Sequence, residues 1–152
     1  MSDSSKFCIE LDHIGIAVET LEKGFSFYEA LGFTSMHRET VESEKVKTGF
    51  LKLDNDADLE LLEPTSSDSV IRKYLDKRGP GIHHICLRVK GIDALVESLK
   101  SKGVRMINDT PKIGAHGCRI AFVHPASTGG VLIELSEKMP RNEESATDKG
   151  HI

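Results

Sequence analysis

The sequence predicts an α+β fold made of two copies of one strand–helix–three-strand module. Three observations lead there. The chain matches itself at a shift of 71 positions, both halves pass through the same order of apolar periodicities, and 152 residues is the length of one ordinary domain. At that shift His13-Ile14 falls on His84-Ile85, Val18 on Val89, Leu21 on Ile92 and Phe25 on Val96. The stretch Leu31-Gly32-Phe33 meets Lys102-Gly103-Val104, and Leu59-Glu60-Leu61 meets Ile133-Glu134-Leu135 at a shift of 74, so the second half carries three extra residues.

In the first half a strand is expected over 8–18, where alternation puts Ile14, Ile16 and Val18 on one face and His13 on the other. A helix follows, with Thr20 as N-cap, Leu21, Phe25, Tyr28 and Leu31 as its apolar stripe, and Gly32 as its stop. Three strands then fit 34–41, 46–53 and 58–63, the last two joined by the turn-rich Asp54-Asn55-Asp56. In the second half the strand lies over 82–89 and the helix carries Ile92, Leu95, Val96 and Leu99 up to Gly103. Strands follow over 104–108, 117–124 and 130–136. Between the halves, a short helix with Val70, Ile71, Tyr74 and Leu75 on one side forms a connector packed on the domain. The expected layout is one domain over 7–136, with modules over about 7–64 and 81–136, a linker over 65–80, and a polar, mobile tail over 137–152.

Composition narrows the function classes. Hydrophobic residues make up 38% and charged residues 29%, as in a soluble globular chain. Apolar runs are too short to span a bilayer, and the polar start MSDSSK lacks the apolar core of a signal peptide, so a cytoplasmic location is expected. Cys8, Cys86 and Cys118 are widely spaced and form no CxxC pair, which argues against a disulfide framework and a thiolate zinc site. A net charge of −4 offers nucleic acid or an acidic membrane no general attraction.

Strand alternation also sorts the polar residues. If Ile14 and Ile85 face the helices, His13 and His84 project from the opposite face, and so do Glu60 and Glu134, which interrupt the pairs Leu59/Leu61 and Ile133/Leu135. Pairing the two halves gathers all four on one concave face. Two imidazoles and two carboxylates are costly to bury unless solvated, paired or metal-bound. One divalent ion satisfies them, and this donor set suits Co²⁺, Mn²⁺, Ni²⁺ or Zn²⁺, with two positions left open in an octahedron. An ion held so acts as a Lewis acid toward a substrate oxygen. A lone strand histidine is more often structural and a strand-end glutamate is usually solvated; recurrence in both halves is what favours the metal. His83 is expected to point to the other face, in a capping or supporting role, and His37, His124 and His151 have no repeat partner and receive no role.

At these residues the sequence resembles the vicinal oxygen chelate superfamily, glyoxalase I-like proteins, and within it the methylmalonyl-CoA epimerase family. The resemblance is carried by LDHIGIAV at 11–18, LELLEP at 59–64, GIHHIC at 81–86, KIGAHG at 112–117 and FVHPASTGGVLIEL at 122–135. It implies two βαβββ modules forming a cupped mixed sheet, a homodimer, and one divalent metal ion per chain held by His13, Glu60, His84 and Glu134. It further implies an acyl-CoA substrate whose 2R and 2S epimers interconvert through an enolate, with Glu134 as the first base. The family's second glutamate aligns with Thr48, which cannot act as a general base at neutral pH, so Glu42, Glu44 or a water held by Thr48 are the substitutes considered. The loop over 114–117 either closes on the ligand, with His116 near the acyl group, or is an ordinary flexible turn. Lys77, Arg78, Lys112 and Arg119 are the candidates for the CoA phosphates. The competing functions are a lactoylglutathione lyase of the glyoxalase I type, an extradiol dioxygenase, and a non-catalytic ligand-binding protein of the same fold.

Overall fold

The computed structural model describes residues 6–140; most of the expected tail, with His151, lies outside the described residues. In chain order the elements are β1 (Glu10–Ala17), α1 (Leu21–Leu31), β2 (His37–Val41), β3 (Val46–Lys52), β4 (Asp58–Pro64), α2 (Val70–Arg78), β5 (Gly81–Arg88), α3 (Ile92–Ser101), β6 (Lys112–Ile113), β7 (Arg119–Val123) and β8 (Ile133–Glu137). The strands form one mixed sheet in the order β2-β3-β4-β1-β5-β8-β7-β6, a palindrome of the two modules and the α+β class expected. Its centre is the antiparallel pair of β1 and β5, in which the repeat-related residues Ile14 and Ile85 stand directly opposite each other. Each central strand pairs in parallel with the last strand of its own module, and Gly15↔Glu60 in the first matches Cys86↔Glu134 in the second.

Both long helices begin on the same device. Their first backbone N–H groups have no partner within the helix and need an acceptor. In α1 the Thr20 hydroxyl accepts from Lys23 N–H at 3.1 Å and the Glu63 carboxylate from Leu21 N–H at 2.7 Å. Gly91 has no side chain to cap α3, and the repeat-equivalent carboxylate of Glu137 accepts from both Gly91 and Ile92 N–H, at 2.8 and 3.0 Å. Gly32 closes α1 at φ 125°, a conformation open to glycine.

The core follows the alternation. Leu21, Leu51, Leu61 and Val18 are buried under α1, and Ile92, Leu95, Val96, Val123 and Leu135 under α3. Burying each large apolar side chain contributes about 1.5–3 kcal/mol. The connector helix α2 sits on the other face, packing Ile71 and Leu75 onto Ala17, Val46 and Leu62, and so closes one end of the face that carries the polar residues.

Some expectations need correction. Leu31 and Val70, placed in apolar stripes, are exposed; they are the last residue of α1 and the first of α2, where the helix turn has neighbours on one side only. The strand expected over 104–108 makes only a single bridge, Met106↔Val123, and the outer strand is instead the two-residue β6. The two bonds that flank this bridge, Ile107 N–H to the Phe122 carbonyl and His124 N–H to the Arg105 carbonyl, do not extend into a ladder. The last strand runs one residue further than expected, through Glu137, which is needed to cap α3. Among the described residues no helix is long and apolar enough to cross a membrane.

Candidate active site

Three donor atoms converge where the two modules meet. His13 Nε2 lies 3.0 Å from His84 Nε2, and Glu134 Oε1 is 3.4 Å from the first and 3.2 Å from the second. All three residues are largely buried, at 7–9% exposure, and two of them, His13 and Glu134, line an open cleft of about 570 Å³. The cleft also holds Glu60, Phe50, Ala115 and His116. The His84 imidazole leans over Gly15, the residue facing it on β1. A Cβ built on Gly15 would fall on the His84 ring, so a side chain at that position and this placement of His84 exclude each other. Cys86 faces His13 across the same strand pair and hydrogen-bonds to it.

Glu60 takes a different place from Glu134. Its Oε2 stands 2.5 Å from His13 Nδ1, the far side of the ring, where Asp12 Oδ2 also lies at 2.8 Å. Three of the four sequence-chosen residues therefore converge on one point, and the fourth braces one of them from behind.

His83 departs from strict alternation. The β1–β5 register passes from Gly15↔His84 to Ile16↔Ile82, so His83 is the extra residue of a β-bulge. That bulge turns it toward its neighbour, with His83 Nδ1 2.9 Å from His84 Nδ1 and its ring edge-on to Tyr74 of α2. One hydrogen-bond network fits these contacts, the approach of His84 Nε2 to Glu134 apart: His13 N–H groups donate to Asp12 and Glu60 on one side and to Glu134 and His84 Nε2 on the other, and His84 Nδ1–H donates to His83 Nδ1.

Charge follows from this network. Burial pushes the His13 imidazole toward neutrality, but hydrogen bonds to Asp12, Cys86, Glu134 and Glu60 outweigh it and raise its pKa well above the usual value. Burial likewise opposes the charge on Glu134, yet its contacts with the His13 and His84 imidazoles hold its carboxyl down at about 2. His83 is driven down to about 4 by burial and by the neighbouring His84, so it is neutral and can accept.

The convergent donors fit a divalent ion. With metal–ligand bonds of about 2.1 Å, adjacent donors stand about 3.0 Å apart in an octahedron and about 3.4 Å in a tetrahedron. The three separations fall in that range, and an ion would replace the proton now shared between the two Nε2 atoms. Asp12 and Glu60 behind His13, and His83 behind His84, stand where outer hydrogen-bond partners would orient the imidazoles toward such an ion.

The other sequence candidates are dispersed. Thr48 is buried, and Glu44 pairs with Lys112 at 3.6 Å away from the cleft lining. Arg119 is bound to Asp93 of α3. The basic residues lining the cleft are Lys52, Arg88 and Lys138, none of which the sequence singled out. Their signal was present in part: Arg88 shares the alternation of His84 and Cys86 on β5.

The chain matches the glyoxalase/bleomycin resistance protein/dioxygenase superfamily over residues 12–122. It is 42% identical to the mitochondrial methylmalonyl-CoA epimerase of Mus musculus over 129 residues, covering 84% of this chain and 72% of that one. The methylmalonyl-CoA epimerase of Mycobacterium tuberculosis superposes with a TM-score of 0.79 at 40% identity, covering 90% and 91% of the two chains. A Streptomyces coelicolor methylmalonyl-CoA epimerase variant in complex with 2-nitronate-propionyl-CoA superposes with a TM-score of 0.78 at 41% identity, covering 85% and 94%.

Proposed function

The chain belongs to the glyoxalase/bleomycin resistance protein/dioxygenase superfamily, and on that premise we propose that it is an isomerase that interconverts the 2R and 2S epimers of methylmalonyl-CoA. The observation that carries this reading is the ionised, buried Glu134 carboxylate, directed at the two imidazoles from the base of a cleft large enough for an acyl group.

The carbon between thioester and carboxylate is a weak acid, so removing its proton needs both a base and stabilisation of the negative charge that develops on oxygen. His13, His84 and Glu134 would hold a divalent ion, with Glu60 as fourth donor or as brace to His13; Co²⁺, Mn²⁺, Ni²⁺ and Zn²⁺ all suit the set. When bound, the ion supplies Lewis acidity toward the thioester oxygen. Glu134 turns one oxygen to the imidazoles, which leaves the other to take the C2 proton. His83, kept neutral, accepts from His84 Nδ1 and so leaves the His84 Nε2 lone pair directed at the ion site. Lys52, Arg88 and Lys138 along the cleft meet the phosphates and carboxylate of an acyl-CoA. The reading includes a homodimer with one ion per chain, acting in the cytoplasm.

A chirally resolved assay tests it. Either pure epimer of methylmalonyl-CoA, given to the metal-loaded protein, is expected to become an equal mixture, while the hemithioacetal of methylglyoxal and glutathione is left unchanged. The reverse pattern assigns the chain to lactoylglutathione lyase chemistry and overturns the proposal.

A further inference from the structure

Inverting a carbon centre takes a proton group on each of its faces, or one mobile group that reaches both; Glu134, held against the two imidazoles, serves one face. Thr48 cannot supply the other, being a buried hydroxyl, and Glu44 is tied to Lys112. The register of the outer strands points elsewhere. Thr48 on β3 stands directly opposite Glu39 on β2, and Phe50 opposite both His37 on β2 and Glu60 on β4, so all five share the cleft face of the sheet. Arg38, between His37 and Glu39, points the other way, to Glu22 of α1. The Glu39 carboxylate lies 3.2 Å from His37 Nε2 and 3.6 Å from His116 Nε2. The His116 ring in turn lies 5.2 Å from the Phe50 ring.

His116 belongs to the second module, yet its ring sits against Glu39 and Phe50 on the wall built by the first. It lines the same cleft as Glu134. Its backbone adopts φ 59° and ψ 22°, the left-handed region that non-glycine residues seldom enter and that is enriched at functional sites. A carboxylate beside an imidazole that faces a substrate cleft is the arrangement that orients a histidine for proton transfer.

We propose that His116, oriented by Glu39, is the second proton-transfer group, serving the face of C2 opposite Glu134. This rests on the epimerase reading. In one direction the C2–H bond breaks, its proton goes to the Glu134 carboxylate and its electron pair enters the enolate. The His116 imidazolium then delivers a proton to the other face of C2 and is left neutral. Glu134 loses its proton to water and His116 regains one, so nothing is consumed. The reverse reaction exchanges the two roles. His116 is the catalytic residue and Glu39 its positioning residue.

The test follows deuterium entry at C2 and epimerisation together, for each epimer separately, with the metal-loaded protein in deuterated water. In the wild-type protein the two advance together. In His116→Gln, epimerisation is expected to fall by about 100-fold or more, while the epimer deprotonated by Glu134 still acquires deuterium with its configuration retained. Glu39→Gln is expected to lower kcat for epimerisation by about tenfold with KM unchanged, and Glu39→Asp to restore part of it. Parallel loss of exchange and epimerisation in His116→Gln would make the loop a closure element and overturn the assignment, and so would unchanged rates. A wild-type protein that does neither overturns the epimerase reading and this assignment with it, which separates that failure from failure of His116 alone.

Discussion

Glu60 and Glu134 occupy the same place in two copies of one module, paired in register with Gly15 and Cys86, yet only Glu134 reaches the point where the imidazoles meet. Glu60 closes instead on the back of His13, beside Asp12. The difference begins in the small residues: glycine lets the His84 ring lie over its backbone, whereas Cys86 opposite His13 keeps a side chain that hydrogen-bonds to that ring. A pseudo-symmetric scaffold therefore delivers an asymmetric site. Duplication places the donors, and the copies differ in which carboxylate meets the two imidazoles. The helix caps diverge less: Glu63 and Glu137 both accept at the starts of α1 and α3, with Thr20 sharing the work only in the first.

Equalising the two halves should break this account in graded steps. Glu134→Gln removes a converging donor and the base together, so epimerisation is expected to fall by about 10³-fold or more with circular dichroism unchanged; retention of a tenth of the activity would make the two glutamates interchangeable. Gly15→Ala inserts a methyl group where the His84 ring lies, and metal affinity measured by calorimetry is expected to drop by about 100-fold while Cys86→Ala, at the equivalent position, is tolerated. Equal losses from both would remove the asymmetry. Glu60→Gln is expected to cost about tenfold in metal affinity, the scale of an outer partner of a ligating histidine, rather than abolish binding.

The smallest effect concerns His83. Its folded-state pKa of about 4 lies below the unfolded value near 6.5, so the unfolded chain binds the extra proton first. The stabilisation is present above about pH 6.5 and fades as pH falls toward 4. In metal-stripped protein, the denaturation difference between wild type and His83→Gln should therefore move in favour of the variant between pH 7 and pH 5. A difference independent of pH would mean that the bulged histidine titrates normally.

Much of this was legible in the sequence because duplication leaves a signal that survives low identity. His13/His84 and Glu60/Glu134 were found by alternation plus the shift, and Thr20 and Gly32 by capping chemistry. The bulge at His83 was not legible, since a one-residue slip between β1 and β5 is a property of pairing. Nor was the divergence of Glu60, which depends on where a flexible side chain finds its partner. Glu39 was overlooked although the signal existed: strands over 34–41 and 46–53 joined by a short turn already put it opposite Thr48. Leu31 and Val70 show the limit of periodicity, which reports a helical face but not which of its terminal residues are covered.

The central claim is that a metal held between the modules makes the C2 proton removable by Glu134. The direct measurement is deuterium incorporation at C2 of methylmalonyl-CoA in deuterated water, with chelator-stripped protein and again after a divalent ion is restored. Incorporation only after restoration, lost in Glu134→Gln, is the predicted result; equal labelling by stripped and restored protein would contradict it.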